Sequence, residues 1–283
     1  MNTLLLPVRH PLLSQYIQSF LFFKRTAAVP FSYTTFPNTN LCLALYKNNQ
    51  VTYSVTESIN HCQISASTNR FSSRLYGFHK RPFTVGIEGP LDQVCILFRA
   101  GGLRAFTREH FAQLARSTQV VHDLFQHTAS QWLDQLFETD DAHQRVAIIE
   151  AFLLRHLSAT PINLRVKTSL QLIEHSDRPM TIKHLSASLG IDESTVYRLF
   201  LDHIGQSPKA YCQTVRFRQI LTSLLAGSPD TLTQLAYTHD YFDQAHFGKH
   251  LKQVTGYSPG QLDQKLSIEQ KELIWMTSSG SLA

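Results

Sequence analysis

Leu185-Ser186-Ala187-Ser188-Leu189-Gly190-Ile191 and Leu235-Ala236-Tyr237-Thr238-His239-Asp240-Tyr241 are the two stretches that decide the fold. They begin 50 residues apart and share one design. Each reads as a short helix, a residue suited to positive φ, and a large apolar residue returning to the core. Glycine enters the left-handed region freely, and aspartate does so at some cost. A second helix is predicted after each, over Ser194–Leu201 and Gln244–Lys252. Both units then close alike, with Ile204-Gly205-Gln206-Ser207-Pro208 and Thr255-Gly256-Tyr257-Ser258-Pro259. The closing glycines are 51 residues apart, so one residue is inserted between turn and second helix, near Phe242. Self-similarity at a fixed period marks a repeated supersecondary unit.

The physics of each unit is that of a helix-turn-helix. A tight turn sets the angle between two helices, and apolar residues bind them together. In the first unit these are Leu185, Leu189, Ile191, Val196, Leu199 and Phe200. The second helix then turns a polar face outward, where it can enter a major groove. That face offers Ser194, Thr195, Tyr197 and Arg198 in the first unit. In the second it offers Gln244, Ala245, Gly248 and Lys249. Arg198 suits bidentate contact with guanine, Gln244 suits adenine, and Lys249 suits a base or a phosphate. Solvated helix surface is the competing reading for each. Asp192 and Glu193 sit where they cap the first of these helices. His246 is expected to pack near its turn, and Phe200, Phe247 and Leu251 belong to the core.

These residues carry a family resemblance. The stretch 181–265 resembles the DNA-binding domain of AraC/XylS-type transcription regulators. The matching elements are Leu185–Gly190, Tyr197–Phe200, Gly205–Pro208, Arg216-Phe217, Leu235–Tyr237, Asp243–Phe247 and Gly256–Pro259, in order and at the right spacing. The resemblance implies one long linker helix, here 209–226, that sets both recognition helices on one face of DNA. It implies a sequence-specific DNA-binding regulator with double-stranded DNA as partner. It also implies an N-terminal domain that binds a small-molecule effector or mediates pairing, and it leaves room for RNA polymerase and a second copy as partners. Three positions depart from the family: Asp240 where glycine is usual, Ile220 where alanine is common, and Gly248 where a small hydroxyl residue stands. Gly248 lowers the propensity of its helix by about 1 kcal/mol. The first unit is therefore expected to carry more of the base specificity. A protein-interaction module with a degenerate DNA-binding domain is the alternative.

Outward from the repeat, the first 100 residues read as strands: Ile17–Phe23, Leu41–Tyr46, Val51–Val55, Phe83–Ile87 and Val94–Phe98. Turn formers separate them at Pro37-Asn38, Asn48-Asn49, Gly89-Pro90 and Gly101-Gly102, a pattern of barrels and sandwiches. Helical spacing follows over 103–115, 120–138 and 143–157, and Ala159-Thr160-Pro161 ends it. The expected fold is α+β: a cupin-like β-barrel over 1–102 with packed helices over 103–158, then an all-α domain of two helix-turn-helix units. The predicted divisions are 1–160 for sensing or dimerisation, 161–266 for DNA, and a tail over 267–283. Candidate effector contacts are Phe36, Tyr46, Tyr53, Tyr76 and Phe78, with core packing as the competing reading.

Composition agrees with this picture. The 283 residues are 43% hydrophobic and 17% charged, as in a packed globular chain. The net charge is +5, but residues 161–266 hold 11 basic against 9 acidic side chains. DNA affinity must then come from where the charges sit. No apolar run is long enough to span a bilayer, and the start lacks a signal-peptide pattern, so a cytoplasmic protein is expected. Cys42, Cys62, Cys95 and Cys212 form no C-x-x-C pair and read as free thiols. His61-Cys62 and His79 lack the spaced partners of a metal site. P-loop and HExxH motifs do not occur, nor does a Pro-Cys-His-Arg context. No enzyme, cofactor or metal is expected.

Overall fold

The computed structural model describes residues 2–55, 60–77, 79–158, 162–176, 179–225, 232–238, 241, 243–259, 261–262, 267–270 and 273–277. Seven strands form the N-terminal half: β1 (Asn2–Pro7), β2 (Ile17–Arg25), β3 (Phe31–Thr35), β4 (Leu41–Val55), β5 (Asn60–Tyr76), β6 (Phe83–Ile87) and β7 (Leu91–Phe98). Two more come from the far end of the chain, β8 (Ser267–Gln270) and β9 (Leu273–Thr277). Together they make one sheet in the order β1-β2-β7-β4-β5-β6-β3-β9-β8. All neighbours run antiparallel except β5 and β6.

Period-two alternation explains the continuous apolar runs of the sequence. Leu43, Leu45, Val94, Ile96 and Phe98 pack on one face, under the helices. Ala44, Tyr46, Cys95 and Leu97 pack on the other, inside the curl. A strand buried on both faces shows no polar alternation. Phe23 of β2 and Tyr33 of β3 stack at 6.1 Å although four strands separate them in the sheet. The sheet therefore curls into a half-barrel around its inner cluster.

Several expected boundaries differ. The turn expected at Asn48-Asn49 is a bulge within β4: Asn48 has φ 56°, and the register slips between Lys47 and Asn49. An extra residue in one strand bends it without ending it. β5 was not anticipated because Asn60–Tyr76 is rich in Ser, Asn and Arg, and Asn60, Ser72 and Ser73 are buried where apolar residues would have marked a strand. The helix expected over 103–115 is a 3-10 turn (Gly102–Ala105) and the one-turn α1 (Phe111–Leu114). The helix expected over 120–138 breaks into α2 (Val120–Phe125) and α3 (Ala129–Glu138), with Gln126 between them at φ 47°. α4 (Ala142–His156) completes the layer. Trp132 and Phe152 stack across α3 and α4 at 4.1 Å. Arg145 of α4 grips Asp92 of β7 with two bonds of 2.6 and 2.8 Å.

The C-terminal half is helical: α5 (Leu164–Glu174), α6 (Ile182–Leu189), α7 (Glu193–His203), α8 (Pro208–Leu225), α9 (Leu232–Thr238) and α10 (Gln244–Thr255). Two clusters hold it. Val166, Leu185, Val196, Phe200, Ile204 and Tyr211 form the first. Phe217, Ile220, Leu235, Phe247 and Leu251 form the second, so Ile220 is core rather than a defect. The expected domain boundary at 159–161 lies outside the described residues. The segment from 267 onward, expected as a tail, instead supplies β8 and β9: Tyr33, Thr34 and Thr35 pair with Thr277, Met276 and Trp275. No described helix is long and apolar enough to cross a membrane.

Candidate DNA-reading surface and inner cavity

The turn of the first unit is built by backbone geometry. Gly190 ends α6 at φ 61°, ψ 37°. The Ile191 amide then donates to the Ser186 carbonyl at 3.1 Å, which satisfies an orphan helix-end acceptor. Asp192 opens α7, accepting from the Thr195 amide at 2.7 Å. In the second unit the Tyr241 amide donates to the Ala236 carbonyl at 2.9 Å, and Asp243 accepts from the His246 amide at 2.7 Å. The turn bond recurs at a spacing of 50 and the cap at 51, so the inserted residue falls between Tyr241 and Asp243. Asp240 and Phe242 themselves lie outside the described residues. Asp243 as the second cap was not anticipated, although its place one repeat after Asp192 was the available signal.

The side chains proposed to read DNA fall into three groups. Tyr197, Arg198, Ala245 and Lys249 stand exposed with polar or small groups outward. Ser194 and Thr195 serve the cap: both hydroxyls donate to the Asp192 carboxylate, at 2.5 and 2.8 Å. The Ser194 bond, then those from Thr195, hold that carboxyl well below the usual carboxylate range. Arg198 donates to Thr195 Oγ1 at 3.1 Å, which lays the guanidinium along the outer face of α7. The Gln244 side-chain oxygen accepts from Thr233 at 3.0 Å, tying α10 to α9. Gly248 has open space where a side chain would go. His246 meets the Tyr241 ring edge-on at 5.4 Å, beside the turn as expected.

The opposite ends of α7 and α10 face the N-terminal half. Arg104 donates to the Asp202 carbonyl at 2.5 Å and lies over the Phe111 ring. Gly205 has φ 88°, and a Cβ there would stand 2.9 Å from Phe111. Gly256, at φ 81°, approaches Pro82. Both closing turns thus dock on the N-terminal half, while the starts of α7 and α10 are exposed. The stretch from Gly256 to Gly260 also spells G-x-S-x-G, but that elbow needs a strand before the serine. Here α10 precedes it, and Ser258 donates to Gln261 at 3.0 Å.

Inside the curl lies a cavity of about 110 Å³. Of the five candidate effector contacts, Tyr46 and Tyr76 line it, their hydroxyls 2.9 Å apart. Phe36 lines it too, yet its ring also packs edge-on against Phe217 of α8 at 6.5 Å. It is a shared wall between the two halves rather than a simple pocket residue. Tyr53 does not line the cavity: it is 47% exposed, packs at a tilt against Phe83 and borders an adjoining groove. Phe78 lies outside the described residues. Gln93, Cys42, Cys62 and Cys95 line the cavity and were not anticipated. Burial raises the Tyr46 and Tyr76 hydroxyls and pushes the Cys62 thiol up to about 11. A hydrogen bond with Cys95, then burial, raises Cys42. Burial lowers His79. Among the described residues no group of three His, Cys, Asp or Glu is placed to hold a metal ion.

Two parts of the chain match known families. Residues 185–265 match the family described as a helix-turn-helix domain. Residues 9–120 match a domain of unknown function. The uncharacterized HTH-type transcriptional regulator YidL of Escherichia coli is 32% identical over 79 residues, covering 28% of this chain and 26% of that protein. The uncharacterized HTH-type transcriptional regulator YisR of Bacillus subtilis is 29% identical over 134 residues, covering 45% of this chain and 46% of that protein. The chain thus spans less than half the length of these relatives. The crystal structure of ToxT from Vibrio cholerae aligns over 87% of this chain and 97% of its own, at 9% identity and a TM-score of 0.43.

Proposed function

We propose, from the premise that residues 185–265 are an AraC-type helix-turn-helix domain, that this chain is a sequence-specific DNA-binding transcription regulator whose N-terminal half holds a small-molecule effector. One observation carries the reading. Turn and cap geometry repeats in both units, and it leaves the starts of α7 and α10 exposed while their far ends dock on the N-terminal half. Two exposed helix starts on one rigid support suit successive stretches of major groove. α7 carries Arg198 and is the stronger base reader. α10, with Gly248 and Lys249, extends and anchors.

The cavity is the effector site in this reading, with Tyr46, Tyr76 and Phe36 in its wall. Such a regulator works in the cytoplasm and acts on RNA polymerase, alone or with a second copy of itself. The test is a gel-shift with genomic fragments over a range of salt. A sequence-preferring complex that weakens steeply with salt is expected. Absence of any preferred fragment, with and without cavity ligands, would sink the proposal.

A further inference from the structure

We infer that the inner cavity selects a small neutral ligand bearing one hydroxyl group, held by the side-chain amide of Gln93. This rests on the effector reading and narrows it to a chemical class. The first support is charge. Among the described residues lining the cavity there is no Lys, Arg, Asp or Glu. The Cys42 and Cys62 thiols and the Tyr46 and Tyr76 phenols are raised and His79 is lowered, so these groups carry no charge at neutral pH. An ionised ligand would shed its hydration there and find no opposite charge.

The second support is an unmatched hydrogen-bonding group. Gln93 is 4% exposed in a strand otherwise rich in apolar residues. Its Nε2 donates to the Tyr46 hydroxyl at 3.3 Å and to the Cys95 thiol at 3.1 Å. Its Oε1 is buried with no partner among the described residues. Turning the amide over exchanges its ends and leaves the other one short. A hydroxyl both donates and accepts, so it satisfies either orientation. From Gln93 the polar strip continues through Tyr46 and Tyr76 to Cys62, whose thiol lies 3.4 Å from the Tyr76 hydroxyl. Leu21, Phe23, Val85 and Leu97 contribute apolar wall. Size is the third support. An apolar cavity of about 150 Å³ holds benzene, so 110 Å³ limits the ligand to one small ring at most.

Three single-ring probes test this on the full chain: phenol, toluene and benzoate at neutral pH, by calorimetry and thermal shift without DNA. Phenol is expected to bind about tenfold or more tightly than either of the others. Gln93→Leu should cost phenol that factor and bring toluene level with it. Should leucine disturb folding, seen by circular dichroism, the three-probe comparison on the unaltered chain decides alone. Benzoate binding as well as phenol, toluene matching phenol, or no binding by any probe would each overturn the inference. DNA is absent throughout, so a chain that selects phenol but binds no DNA refutes only the regulator reading.

Discussion

Gly190→Ala and Gly248→Ala are the same chemical change, yet the structure assigns them opposite signs. At both positions an added Cβ would meet nothing within 4 Å, so packing contributes nothing to either. What differs is the backbone. Gly190 sits at φ 61°, where an L side chain crowds the following carbonyl, at roughly 1–2 kcal/mol. Gly248 lies inside α10, where alanine gains about 0.8–1.0 kcal/mol of propensity. The two variants should therefore differ by roughly 2–3 kcal/mol in unfolding free energy. Gly190→Asn should fall between Gly190→Ala and the unaltered chain, because asparagine tolerates this region better. Urea unfolding followed by far-ultraviolet circular dichroism measures this as a midpoint shift at constant slope. A neutral Gly190→Ala would show that the first turn is not left-handed. A destabilising Gly248→Ala would show that the outer face of α10 is covered in solution and not open to DNA.

Other expectations follow from single contacts. Arg198→Ala should cost about 1–3 kcal/mol on the preferred sequence and little on others, by titration against both. A uniform loss would make Arg198 a phosphate contact. Arg145→Met should destabilise the N-terminal half by about 3 kcal/mol by leaving Asp92 unpaired, and Asp92→Leu in the same chain should recover most of it, in thermal melts. Burial, then the charges of Arg216 and His246, lower His250, whose Nδ1 meets the Tyr241 hydroxyl at 2.5 Å. Unfolded histidine titrates near about 6.5, so below that the unfolded chain binds the proton more readily. Stability should fall as the pH drops through that value, then level off below the folded value, and His250→Gln should remove part of the fall. Phe36→Leu should leave cavity ligands bound while shrinking the change they cause in DNA affinity, by gel-shift with and without phenol.

The helical half was readable because its repeat states the same geometry twice. Ile191 and Tyr241 mark the turns, and Gly205 and Gly256 mark the closures, whatever the residues between. Runs such as Leu41–Tyr46 were readable as strands because burial on both faces leaves no polar residue to blur them. β5 was not, because Ser and Asn interrupt its apolar alternation, and Asn60, Ser72 and Ser73 take buried positions themselves. In the cavity, Tyr46 and Tyr76 answered to a search for aromatics. Gln93 did not, though a lone amide in the apolar run Leu91–Phe98 was its own signal. Tyr53, half exposed, stands on an adjoining groove and not in the cavity lining.

The pairing of β9 with β3 changes how this protein can be taken apart. A fragment ending near residue 160 would carry the N-terminal half but lack the strand that covers β3. Its open edge, with Phe31 and Tyr33, would invite pairing between molecules. That same strand carries Tyr33 and Thr35 into the cavity wall, so a shortened protein would misreport ligand affinity. The polypeptide is sewn shut by its own far end, and trimming that end unpicks a wall of the cavity.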